Sequence, residues 1–213
     1  AAQADPDRHP MPRRHAFAAW AEPRTVILGV FVLCMAFAEG TGNDWLAVAT
    51  IDGYDASAAI GTVTFAVFLS AMTAGRWFGP AAIDRYGRVP VLRVGAAVAA
   101  LGLLLVTYGS AVPVAMVGAA IWGLGTSMGF PTGMSAAADD PSHAAARVSV
   151  VSSIGYVAFL AGPPLLGVIG DHVGTLHSLA TAIALLVLAA AISPVARPLE
   201  PAAPAGPLRK ATA

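Results

Sequence analysis

Long apolar stretches without a formal charge, separated by short polar punctuation, dominate the chain from residue 25 to residue 196. Residues 56–75, 94–138, 148–170 and 173–196 contain no Asp, Glu, Lys or Arg. A helical bilayer crossing takes about 20 mostly apolar residues, so the stretch 94–138 is too long for one. It divides at Tyr108-Gly109-Ser110-Ala111-Val112-Pro113, where Gly, Ser and Pro mark a turn. The first stretch, residues 25–38, is shorter but continues through Glu39 and Asp44 to about residue 49. The pattern predicts six helices, roughly 25–49, 57–81, 90–108, 112–137, 147–169 and 174–195. A transmembrane β-barrel would need alternating strands of about ten residues. These runs are continuous and rich in Ala and Leu, so the barrel is discarded.

Composition agrees with an all-α membrane protein. Hydrophobic residues make up 57% of the 213 residues and charged residues 11%, against about 25% charged in a soluble domain. The formal net charge of zero gives no basic face for nucleic acid. Cys34 stands alone, which excludes a disulfide framework and a cysteine metal site. No cofactor or metal-ligand motif is evident.

Charge placement predicts orientation. With six helices, the N-terminus, the loops after the second and fourth helices, and the C-terminus share one side. All twelve Lys and Arg fall on that side or at helix ends facing it. The opposite loops hold Asp52, Asp55 and Asp171, with Asp44 near that face. By the positive-inside rule both termini are expected in the cytoplasm. Residues 1–24 are polar, hold four prolines and lack the order of a signal peptide, so they read as a cytoplasmic linker. Residues 197–213, rich in Pro and Ala, read as a disordered cytoplasmic tail. The first residue is Ala, which fits an excerpt of a longer chain or a processed product.

The segment after the second helix reads Gly79-Pro80-Ala81-Ala82-Ile83-Asp84-Arg85-Tyr86-Gly87-Arg88-Val89-Pro90. Physically, Asp84 suits a helix cap or a basic partner, and Gly87 permits a positive-φ reversal. Arg85 and Arg88 suit an anionic membrane face. An ordinary basic turn explains the same residues. The core Asp84-Arg85-x-Gly87-Arg88 resembles the signature loop of the major facilitator superfamily, between the second and third helices of a six-helix half. The sequence departs from the family pattern at Pro80 and at Val89.

Three further segments extend the resemblance. Glu39-Gly40-Thr41-Gly42-Asn43-Asp44-Trp45 looks like the seventh helix of a bacterial branch similar to fucose permeases. Trp122-Gly123-Leu124-Gly125 with Pro131 looks like the tenth, and Gly162-Pro163-Pro164-Leu165-Leu166-Gly167 like the eleventh. The resemblance implies the C-terminal half of a twelve-helix fold, with residues 1–24 ending the central loop. It further implies secondary transport in a bacterial inner membrane, alongside a missing N-terminal half or a second copy of the chain.

Glu39 is the most informative candidate. It lies 14 residues beyond Thr25, about 21 Å along a helix and past the middle of a roughly 30 Å hydrocarbon core. Carboxyl groups at such depth are costly, face cavities and favour their protonated form, which suits a coupling proton. If the helix ends near Glu39 instead, the residue sits at the outer interface. Asn43, Asp44 and Trp45 follow about one turn later and suit a polar, sugar-like solute; Trp45 reads equally well as an interfacial belt residue. Ser149, Ser152, Ser153 and Tyr156 share one helical face, which either lines a cavity or packs between helices. Of these, Ser152 and Tyr156 are taken as candidate solute contacts. Arg76 is expected to snorkel to the basic side, and Gly118, Gly125 and Gly129 to permit close packing.

Gly125-Thr126-Ser127-Met128-Gly129 matches a nucleophile-elbow pattern. Ser127 would nevertheless lie about 22 Å from the outer face and His177 about 5 Å, whereas a Ser–His pair needs about 3 Å. An intramembrane hydrolase is therefore set aside. The expected function is proton-coupled secondary transport of a small polar solute. The alternative is a six-helix membrane interaction partner that transports nothing.

Overall fold

A computed structural model describes residues 18–199. Most of the expected linker, through residue 17, and the expected tail beyond residue 199 lie outside the described residues. The helices are α1 (Pro23–Tyr54), α2 (Ala58–Tyr86), α3 (Arg88–Tyr108), α4 (Val112–Thr126), α5 (Gly129–Ala137), α6 (Ala144–Val173), α7 (Thr175–Ser178) and α8 (Thr181–Ile192). They make six spans apolar and long enough to cross a membrane, with α4 and α5 sharing Val112–Ala137, and α7 and α8 sharing Thr175–Ala196. No strand occurs among the described residues. The six-helix membrane architecture expected from the apolar pattern is thus the architecture found.

Local chemistry sets several helix ends. Pro23 opens α1, where a missing N–H costs nothing. The Ser57 hydroxyl accepts from the Ile60 amide and caps α2. Gly87 turns the chain between α2 and α3 at φ +83°, the reversal expected of that glycine.

Two boundaries differ from expectation. α1 runs five residues past position 49, carrying Asp52 into its last turns. The Tyr54 hydroxyl donates to the Val106 carbonyl at 2.6 Å and pins that extension to α3. α2 passes through Pro80 to Tyr86, so Asp84 and Arg85 are helical rather than in a loop. Asp84 caps nothing: Gly87 occupies the N-cap of α3 without a side-chain cap bond.

α1 is the core of the bundle. Its most apolar stretch is 78% buried, against 28% for α2 and 22% for α6. It packs against α2, α5, α6 and α8, while α3 packs on α4 and α8. α3 and α4 cross at backbone contact. A Cβ at Gly118 would meet the Gly102 carbonyl at 2.7 Å, and one at Gly125 would meet the Gly95 carbonyl at 2.6 Å. Small residues admit such approach, and packing rather than water then holds the helices together.

The basic end is closed by ion pairs. Arg88 holds both oxygens of Asp139, at 2.7 and 2.9 Å, and Arg24 donates to the same carboxylate at 3.3 Å. Arg147, near the start of α6, grips Glu22 at 2.6 Å and Asp140 at 3.1 Å. The starts of α1, α3 and α6 and the end of α5 are thereby joined.

Candidate solute-binding site

The site begins with a proline. Pro131, on α5, has no N–H to offer the carbonyl of Ser127 four residues earlier. The fourth span breaks there, leaving Ser127 and Met128 between α4 and α5. Arg76 of α2 reaches into the gap and its Nε donates to the Ser127 carbonyl at 3.4 Å. Its Nη2 donates to Oε1 of Glu39 on α1 at 2.6 Å.

This pair corrects the snorkelling expectation for Arg76. The residue lies ten positions before Tyr86, about 15 Å from the end of α2, and turns inward to a carboxylate and an orphaned carbonyl. A guanidinium provides five donors in a planar fork, so it can serve both at once. Sequence reading missed the pairing because the partners are 37 positions apart. The available signal was an arginine inside an apolar helix, four residues before a proline.

The pair lines a cavity of about 540 Å³ together with Pro80, Met128, Phe130, Pro131, Tyr156 and Phe159. The Glu39 side chain is 10% exposed and that of Arg76 45%. Glu39 is the buried member and Arg76 the open one, so removing Arg76 would strand the Glu39 carboxylate. Phe159 stands 6.4 Å, centroid to centroid, from both Phe130 and Tyr156, so the three rings form one wall.

Of the other sequence candidates, Tyr156 lines this cavity and is largely exposed. Ser152 instead donates to the Met134 sulfur at 3.7 Å. Asn43 lies one helical turn beyond Glu39 on the same face, and both it and Asp44 are exposed. Trp45 is half-buried, with its ring 3.6 Å from the space beside Gly167 and its Nε1 without a partner among the described residues. Asp84 and Arg85 are exposed, and the Arg85 guanidinium lies 5.3 Å from the centre of the Tyr86 ring. Arg88 belongs to the Asp139 clasp described above. Ser127 and His177 stay apart: the Ser127 hydroxyl donates to the Leu124 carbonyl at 2.7 Å, and the His177 ring packs on Tyr108.

Residues 25–212 match the family model described as Major Facilitator Superfamily. The chain belongs to the Major Facilitator Superfamily. An uncharacterised MFS-type transporter of Yersinia pestis is 34% identical over 181 residues, covering 80% of this chain and 45% of that protein. Two crystal structures of the superfamily transporter FucP share the fold at a TM-score of 0.77 and 13% identity, each with 47% of its length covered. One shows the outward conformation, at 89% coverage of this chain. The other is a single-substitution variant of the E. coli fucose:proton symporter, at 91% coverage. The chain therefore spans about half the length of the superfamily relatives it matches. Six apolar spans and superfamily membership make it a multi-pass membrane protein.

Proposed function

We propose that this chain is one six-helix half of a secondary transporter that moves a small polar solute by alternating access, with Glu39 carrying a coupling proton. The second half is a separate N-terminal unit or another copy of this chain. The membrane is a bacterial inner membrane, with the basic end and both termini in the cytoplasm. The observation that carries the reading is the Glu39–Arg76 pair, set at a helix break inside a cavity between α1, α2, α5 and α6. Broken helices and inward ionisable groups are where membrane carriers bind cargo. Within this reading, Asn43, Asp44, Trp45, Tyr156 and Ser152 contribute solute contacts. Asp84, Arg85, Gly87 and Arg88 form the gating segment at the basic end. A symporter among the proteins of the same fold supports the proton.

The test is reconstitution into proteoliposomes carrying an internal pH dye, challenged with a panel of small sugars and carboxylates under an imposed pH gradient. Solute-dependent proton entry that is lost in Glu39→Gln, with membrane insertion intact, is expected. No such flux from the chain, either as purified or with a co-purifying second half, would leave the membrane interaction partner as the reading. Cysteines replacing Arg85 and Arg93 should react with an impermeant maleimide only in inverted vesicles; labelling from outside intact cells would reverse the topology.

A further inference from the structure

The charge balance of the cavity narrows the cargo. Its lining carries one acid, Glu39, and one base, Arg76. Arg76 spends Nε on the Ser127 carbonyl and Nη2 on Glu39, while Nη1 has no partner among the described residues. The guanidinium stays charged at every physiological pH, so Glu39 is the member of the pair able to change charge. When Glu39 takes a proton, Arg76 loses its counter-charge in a cavity walled mainly by Phe, Pro and Met. A neutral solute leaves that cation uncompensated. An anion restores neutrality, and the guanidinium fork accepts a carboxylate through two parallel N–H···O bonds.

We propose that the solute is a small carboxylate anion with an aromatic body, which ligates Arg76 as Glu39 takes up a proton. The inference rests on the transport reading of this site and adds the cargo class. The wall of Phe130, Phe159 and Tyr156 faces the pair and fits a flat ring better than a polyol. Empty, the site holds Glu39⁻ and Arg76⁺; loaded, it holds neutral Glu39, Arg76⁺ and the carboxylate. The net charge is zero in both states, so neither the empty nor the loaded site holds an unbalanced charge while access alternates. The groups facing Glu39 are Arg76 from α2 and Tyr156 from α6. α4 and α5 bring the Ser127 carbonyl but no titratable side chain to the cavity, and Asp44, the next acid on α1, is exposed beyond it.

The test measures binding of benzoate to the purified full chain in nanodiscs by calorimetry, in buffers of differing ionisation heat, with benzamide and glucose as neutral probes. Benzoate should bind with uptake of about one proton, and its affinity should therefore fall by up to about tenfold per pH unit as pH rises. Arg76→Gln should lose at least tenfold in affinity, with Arg76→Lys intermediate. Glu39→Gln, which mimics the protonated acid, should bind benzoate independently of pH and without proton uptake. Intact far-ultraviolet circular dichroism keeps the variants interpretable. Absent benzoate binding, equal binding by Arg76→Gln, or benzamide and glucose binding as well as benzoate would overturn the anion assignment. Proton-linked flux of a neutral sugar without benzoate binding would sink this inference and leave transport standing. Proton-linked benzoate binding without any flux would do the reverse.

Discussion

Replacing Gly102 with Ala probes the crossing that ties α3 to α4. The new methyl group would lie 2.5 Å from the Gly118 carbonyl oxygen and 2.8 Å from the Trp122 Cα, and against the Trp122 amide nitrogen. Non-bonded carbon contacts settle near 3.5 Å, so the helices must part by about 1 Å along that line. No side-chain rotation relieves the clash, because every atom met is backbone. Trp122 is fully buried and packs edge-on against Phe68 at 5.1 Å between ring centres, so the displacement carries into α2. Overpacking of this kind costs about 1–3 kcal/mol, and the better helix propensity of Ala returns about 1 kcal/mol at most. The net loss of up to about 2 kcal/mol lowers the unfolding midpoint by up to about 4–8 °C in a chain of this size. Tryptophan fluorescence during heating in detergent reads it. Gly167→Ala is the matched control, since its nearest neighbour is the Trp45 ring at 3.6 Å, and its midpoint should hold or rise. Equal midpoints for the two variants would refute the argument that α3 and α4 meet at backbone distance.

Asp139→Asn should destabilise more than either arginine partner's removal alone, because it strands both Arg24 and Arg88; a loss of about 2–4 kcal/mol is expected for these partly buried groups, read as a lower midpoint in the same assay. Pro131→Ala restores an N–H for the Ser127 carbonyl and should mend the fourth span. It should raise thermal stability while lowering proton-linked flux, since Arg76 loses a partner that holds it inward; unchanged flux would separate the break from the site. Acid should loosen the basic end. The Arg147 guanidinium holds the Glu22 carboxyl below the ordinary range, and the Ser142 hydroxyl, followed by His143, holds Asp140 well below it. Both bind protons less readily when folded, so their stabilisation is complete above the ordinary carboxylate range, about pH 4, and is lost as pH falls through their lowered folded values. The midpoint should drop below about pH 4 in the wild type and drop less steeply in Glu22→Gln.

The spans were legible because hydrocarbon demands long uncharged runs, and 56–75, 94–138, 148–170 and 173–196 supply them without interruption. Gly87 was legible too, since a reversal of this kind needs positive φ. The boundaries that moved depend on contacts between elements. The reach of α1 to Tyr54 hangs on a hydroxyl meeting the Val106 carbonyl on another helix. The passage of α2 through Pro80 reflects a span long enough to tolerate one lost bond. The inward turn of Arg76 needed two facts together: where Glu39 lies in space, and that Pro131 leaves a carbonyl free beside it. Superfamily membership was readable from Asp84-Arg85-x-Gly87-Arg88, whereas the pairing of Arg88 with Asp139 was not.

The uneven coverage of the six spans gives the chain built-in optical reporters. Trp122 is sealed inside the bundle at 0% exposure, while Trp77 on α2 is 80% exposed. Brominated acyl chains should quench the second indole and spare the first. Whatever seats itself against the outer side of α2 should then shelter Trp77 from bromine, so assembly can be followed by light emission without any added dye.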